Sequence, residues 1–283
     1  MREPHLPEVF RLIDNERWGW EFEEIQAIHR LDPVSSLVAL DGREIVGLVT
    51  CVDFGSFASI VHVIVRKGWR KKGIGLKMME RILAELDSRG VSTVELHAER
   101  KAIEFYAPFS FRKLDEISYF VRELPAEAAV PDLGPGDPFS WVPPGDAPKT
   151  AKTLSSVLGY DEGDLQRALV KFPPDHTLLR SEGGRPTALM LSRIGRDLNA
   201  VGPWVMDNPG GKDADAMMRA FLSTTPRKRV DILAPSSSEV SATCLQACGF
   251  GLAKAGILRL ARSSVHVSKY PESVLSIGHL CLI

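Results

Sequence analysis

Between residues 75 and 87 the apolar side chains stand at Met78, Met79, Ile82, Leu83 and Leu86, the three- and four-residue spacing of one helix face, and Gly90 follows as a stop signal. Immediately ahead, Ile60 to Val65 is an apolar run interrupted only by His62, which predicts a strand buried on both faces and is too short to span a membrane. The same reading predicts short amphipathic helices over 6–14 and 22–29 and a hairpin of strands 36–40 and 44–53 across Asp41-Gly42. A strand over 91–98, a helix over 101–106 and a strand over 116–121 complete the first half.

A weaker version of this plan recurs after residue 149. Strands over 178–180 and 186–192 flank Glu182-Gly183-Gly184, and strand 200–206, helix 213–222, strand 229–234 and helix 238–248 follow, the last ending in Gly249-Phe250. Seven prolines and three glycines crowd the stretch from Pro125 to Pro148, the composition of a stiff connector. The expected organisation is therefore a first domain over 1–124, a linker over 125–148, and a duplicate over 149–283. Strands alternating with helices predict an α/β (α+β) class, with a mixed central sheet flanked by helices in each half.

The 283 residues are 44% hydrophobic with a formal net charge of −1, a globular composition without the basic excess of a nucleic-acid binder. The opening Met1-Arg-Glu-Pro-His-Leu-Pro lacks the apolar core of a signal peptide, so a cytoplasmic protein without membrane association is expected. Cysteines at 51, 244, 248 and 281 are too few and too scattered for a disulfide framework. Cys244 and Cys248 share a helix face from which a metal could be held. With no histidine nearby to complete a set, the expectation is two small buried residues and no metal.

Charge is concentrated at one place. Arg66, Lys67, Arg70, Lys71, Lys72 and Lys77 stand together with no acid among them until Glu80. Within this run Arg70-x-x-Gly73-x-Gly75 leads into the helix over 75–87, where unobstructed backbone N–H groups and the helix dipole favour a phosphate; a tight turn without a ligand fits the glycine pair as well. A Walker loop is excluded because Ile74-Gly75 follows Gly73 where Lys-Ser/Thr is required, and the G-x-G-x-x-G of a dinucleotide fold is absent.

The strand, Arg70-x-x-Gly73-x-Gly75, the helix and then Ala102-Ile-Glu-Phe105-Tyr106-Ala-Pro-Phe-Ser110-Phe111 together resemble the GNAT superfamily of acyl-CoA-dependent N-acyltransferases. The two-part chain is similar to its tandem group, in which a degenerate domain follows an active one. Departures fall at Ser110, where the family usually has glycine, and at Glu99, where many members have asparagine. The resemblance implies acetyl-CoA as cosubstrate, with its pyrophosphate held by Arg70, Lys71, Lys72, Gly73, Ile74 and Gly75. It implies that the pantetheine lies against the main chain of Val63 and Val65, where two strands splay apart. It also implies Tyr106 as proton donor to the CoA sulfur, and direct attack by a primary amine of a small molecule in a ternary complex.

The general base stays open between ordered water and His97, a strand histidine suited to proton transfer near neutrality. Trp18 and Trp20 fit either an aromatic wall of the acceptor pocket or the core. Cys51 has no candidate base beside it, which speaks against an acyl-cysteine route. In the second half Asp207-Asn208-Pro209-Gly210-Gly211 replaces the basic loop, and an acidic loop repels a pyrophosphate. The other reading of the whole chain is a non-catalytic acyl-CoA-binding sensor or interaction module. The sequence leaves the oligomeric state, acceptor and acyl length open.

Overall fold

The computed structural model describes residues 1–18, 20–32, 35–124, 138–142, 146–158, 162–171, 174–195, 198–225 and 229–277. In chain order the elements are α1 (Leu6–Asp14), α2 (Phe22–Leu31), β1 (Leu37–Asp41), β2 (Glu44–Asp53), β3 (Phe57–Val65), α3 (Ile74–Ser88), β4 (Thr93–Glu99) and α4 (Ile103–Tyr106). They continue as β5 (Arg112–Glu123), β6 (Phe139–Val142), α5 (Ala147–Leu158), α6 (Glu162–Lys171), β7 (His176–Glu182), β8 (Arg185–Ile194) and β9 (Leu198–Met206). The last are α7 (Gly211–Thr224), β10 (Arg229–Pro235), α8 (Glu239–Ala247), β11 (Gly251–Ser263) and β12 (Val274–Ser276). Among the described residues no helix is long and apolar enough to cross a membrane.

The chain divides into two compact units, Met1–Lys113 with Arg259–Val267, and Leu114–Leu258 with Ser268–Ile283. In the first, β1 and β2 form the expected hairpin, closed at Asp41↔Glu44 with Gly42 at φ 58°. The sheet order is β1-β2-β3-β4, and the 259–263 part of β11 lies beside β4. α1 buries Leu6, Val9, Leu12 and Ile13, and α3 buries the five residues its spacing indicated, Met78, Met79, Ile82, Leu83 and Leu86.

The boundary is thus not the expected cut at 124. Residues 114–123 belong to the second unit and 259–267 to the first. Ion pairs supply the physical reason for the latter. Arg259, 3% exposed, meets equally buried Glu95 of β4 through two bonds, Nε to Oε2 at 2.8 Å and Nη2 to Oε1 at 2.6 Å. Arg262 likewise forks onto Asp87 at 2.7 and 2.8 Å, and the hydroxyls of Ser263 and Thr93 bond at 2.7 Å.

In the second unit the order runs from the 251–258 part of β11 through β5, β10, β9, β8 and β7 to β6, with β12 paired to β9. Adjacent residues point to opposite cores. Leu178, Met190 and Trp204 join Met217, Phe221 and Ile232 on one face, while Leu179, Leu191 and Val205 join Leu154 and Leu165 on the other. That arrangement explains the near-continuous apolar runs of β8 and β9.

Part of the expected linker is also corrected. Residues 139–142 form β6, paired from Phe139↔Arg180 to Val142↔Thr177, and α5 begins at Ala147, whereas 125–137 and 143–145 lie outside the described residues. β6 is last in the strand order, where flanking prolines are tolerated because the outer N–H groups need no partner.

Candidate active site

β3 and β4 pair in parallel from Phe57↔Thr93 to Ile60↔Leu96. The register stops there, although β3 runs on to Val65 and β4 to Glu99. A bulge stands at the same level, since Thr50 and Cys51 of β2 oppose His62 and Ile60 and leave Val61 as the extra residue. Arg66 N–H bonds to Val46 O of β2 at 2.9 Å. Main-chain groups alternate in direction along a strand, so those of Val63 and Val65 face away from β2, on the side where β4 has diverged. The Val65 carbonyl accordingly accepts from Arg70 Nε at 2.8 Å.

The segment from β3 to α3 is held from several sides. Arg66 pairs with Glu8 at 3.0 Å and Glu44 at 3.1 Å, and Arg70 reaches Glu16 at 2.7 Å. Lys72 Nζ stands 4.2 Å above the Trp69 ring, and Lys71 and Lys72 are exposed. Lys71 and Gly73 take left-handed φ values of 64° and 78°, a conformation free to glycine and costly to lysine. The first helical bond of α3 runs from Lys77 N–H to Gly73 O at 3.1 Å, so the amides of Ile74, Gly75 and residue 76 have no acceptor within the helix. Gly75 has a different role from Gly73. A Cβ there would lie 3.2 Å from the Phe105 ring and 3.6 Å from Val65.

Tyr106, at the end of α4, is 8% exposed and edge-on to Phe105 at 4.9 Å and Phe111 at 5.9 Å. Burial pushes its hydroxyl up to about 12, so it holds its proton throughout the neutral range. Ser110 adopts the left-handed conformation that glycine would take, at φ 64° and ψ 20°. His97 follows the last β3–β4 pair directly; it is half-buried with both ring nitrogens enclosed. Lys101 pairs with Glu99 at 2.5 Å. Cys51 is fully buried, and burial raises its thiol well above its ordinary value, which removes it as a nucleophile.

The two tryptophans divide between the two readings. Trp20 is core, 7% exposed and edge-on to the buried His62 ring at 4.6 Å, whereas Trp18 is 42% exposed and stacks on the same ring at 5.9 Å. Thr50 Oγ1 and His62 Nδ1 lie 2.7 Å apart and fix that ring.

The second unit repeats the strand geometry with a different outcome. β9 and β10 pair in parallel from Leu198↔Arg229 to Val201↔Ile232, then continue to Met206 and Pro235. Here β12 lies along β9, with Val274↔Val205 and Ser276↔Trp204, while Ile277 N–H bonds to Leu233 O of β10 at 2.9 Å. Ser276 Oγ adds a bond to Val201 O at 2.8 Å. Residues 274–277 therefore lie between the diverging ends of β9 and β10, whereas among the described residues no strand pairs with β3 on that side beyond Ile60. The loop before α7 is shorter, and the acids of this loop and of the first turn of α7 are engaged: Asp207 pairs with Arg185, and Asp213 with Arg180 at 3.1 Å.

Residues 5–111 match the model of the Acetyltransferase (GNAT) family. Solved structures resemble almost the whole chain. A candidate acetyltransferase from Pyrococcus horikoshii superposes with a TM-score of 0.72 at 19% identity, covering 99% of this chain and 92% of that one. A GCN5-related N-acetyltransferase from Sphaerobacter thermophilus gives 0.65 at 14% identity, covering 95% and 96%. A tandem GNAT protein from the clavulanic acid biosynthesis pathway gives 0.56 at 11% identity, covering 88% and 90%. The architecture is accordingly that of tandem GNAT-like domains, each a mixed sheet flanked by helices.

Three features escaped the sequence reading. The Gly75–Phe105 approach and the β12 insertion join residues far apart in the chain and leave no local pattern. The third is Asp215 beside Cys244 and Cys248, taken up below.

Proposed function

We propose that the first unit transfers an acetyl group from acetyl-CoA to a primary amine of a small molecule, by direct attack in a ternary complex. The observation that carries this reading is the end of β3–β4 pairing at Ile60↔Leu96, which leaves the main chain of Val63 and Val65 facing an opening beside a basic helix start. An extended amide-bearing chain such as pantetheine bonds to such an edge as an added strand would. The free amides at the start of α3, with Lys71 and Lys72, suit the pyrophosphate, while Arg70, tied to Glu16 and Val65, braces the loop.

In the transfer, the strand amides hold and polarise the thioester carbonyl, so charge developing on its oxygen is stabilised. The attacking amine must be neutral; its proton leaves through ordered water, with His97 as the side-chain base nearest the strand divergence. Tyr106 keeps its hydroxyl proton at neutral pH and donates it to the departing sulfur. Trp18 over His62 forms an aromatic wall for the acceptor. In the second unit β12 and the acidic loop oppose a second CoA. Use of acetyl-CoA, with buried free cysteines at 51, 244 and 248, suits the cytoplasm.

The test is thiol release from acetyl-CoA in the presence of a panel of small primary amines. Amine-dependent release with a matching acetylated product is expected. Binding of acetyl-CoA without turnover on any amine, peptide amines included, favours the sensor reading instead.

A further inference from the structure

Cys244 and Cys248 stand one turn apart at the end of α8, with Cys248 N–H bonded to Cys244 O at 2.9 Å. Asp215 of α7 faces them. The two Sγ atoms and a carboxylate oxygen of Asp215 all lie within 4.8 Å of one another, the one such group of three potential ligands among the described residues. Cys248 Sγ and Asp215 Oδ1 are 3.4 Å apart. A tetrahedral zinc ion with bonds of about 2.3 Å to sulfur and about 2.0 Å to oxygen has an S···O edge of about 3.5 Å. Both cysteines are 3% exposed, whereas the Asp215 side chain is 33% exposed, so the trio opens to solvent at the carboxylate.

We propose that Cys244, Cys248 and Asp215 form a binding site for one thiophilic divalent cation of the zinc class, clipping α7 to α8 in the second unit. Two thiolates and one carboxylate select zinc over magnesium or calcium, which require oxygen ligands. Arg219, one turn beyond Asp215, donates Nε to Oδ2 at 2.7 Å and Nη2 to Oδ1 at 3.0 Å. It orients the carboxylate as an outer partner, and a carboxylate oxygen has lone pairs for both an N–H and a metal. The charges then close. Three anionic ligands, one guanidinium and one divalent cation sum to zero, and the two thiol protons leave to solvent on binding. The solvent-side position is left for water. This clip is independent of acetyl transfer by the first unit.

The experiment uses the full-length reduced chain, stripped with a chelator and titrated with Co²⁺ and then Zn²⁺. One Co²⁺ per chain is expected, with a thiolate-to-cobalt charge-transfer band that Zn²⁺ abolishes. Cys248→Ser should remove the band, Asp215→Asn should weaken binding at least tenfold, and Cys51→Ala should change neither. If Cys248→Ser fails to fold, alkylation of the native chain decides, because Zn²⁺ must then protect Cys244 and Cys248 from labelling. No charge-transfer band, binding indifferent to Cys248→Ser and Asp215→Asn, or unprotected thiols would overturn the proposal.

Discussion

A Cβ placed on Gly75 would meet two carbons of the Phe105 ring at 3.2 Å, and Phe105 immediately precedes Tyr106. The start of α3 and the segment bearing the proposed proton donor are therefore in direct packing contact. Gly75→Ala should push the ring and displace both, weakening acetyl-CoA binding at least threefold and lowering kcat. Phe105→Leu in the same chain, which shortens the obstructing ring edge, should restore part of the loss. Calorimetry and steady-state kinetics on the two variants check this; an unaltered Kd in Gly75→Ala means that the contact relaxes without cost.

Tyr106→Phe should lower kcat by 10²–10⁴-fold, the usual contribution of a positioned general acid, while acetyl-CoA affinity stays within about twofold. The pH dependence follows from burial. A hydroxyl raised from its ordinary 10 to about 12 is favoured in its neutral form by the fold, so its contribution to stability is whole below pH 10 and lost as pH rises through 12. The wild type should accordingly show no falling limb of kcat from this group near pH 10. Ultraviolet difference titration against Tyr106→Phe should assign it a phenolate transition near 12.

The Glu95–Arg259 pair holds the returning 259–263 segment against β4 with both partners 3% exposed. Glu95→Gln leaves a buried guanidinium without its counter-charge and should cost about 3–5 kcal/mol in urea unfolding. The double change Glu95→Leu with Arg259→Met should recover most of that, because the charges no longer have to be desolvated. Equal destabilisation of single and double variants would assign the cost to packing.

β12 carries Val274 and Leu275, both fully buried, onto β9. Leu275→Ala should destabilise the chain by about 2–5 kcal/mol. It should create no second CoA site, because Asp207 before α7 and Asp213 in its first turn remain. Thermal unfolding and binding stoichiometry, measured on the same preparation, separate the two effects.

The periodic elements were readable because their burial is local. α3 shows its apolar face within fifteen residues, and the Asp41-Gly42 turn pins the β1–β2 register. The basic glycine loop was readable for a similar reason, since charge, glycine and helix start are contiguous. β11 was not. Two glycines and three cations interrupt its pattern, and Arg259 is tolerated in a core only because Glu95 waits 164 residues away. β6 was hidden by the prolines around it, whose effect at an edge strand differs from that within a sheet. Asp215 joins the cysteines only through the packing of α7 on α8, so the pair alone looked inert.

Calorimetric titration of the full-length chain with acetyl-CoA addresses the central claim most directly, alongside the variant Lys71→Glu/Lys72→Glu. One site per chain is expected, weakened at least tenfold in the variant, about 1.4 kcal/mol, because reversing the loop charge opposes the pyrophosphate. Two equivalent sites, or one site indifferent to the loop, would contradict a single acyl-CoA cradle between β3 and α3.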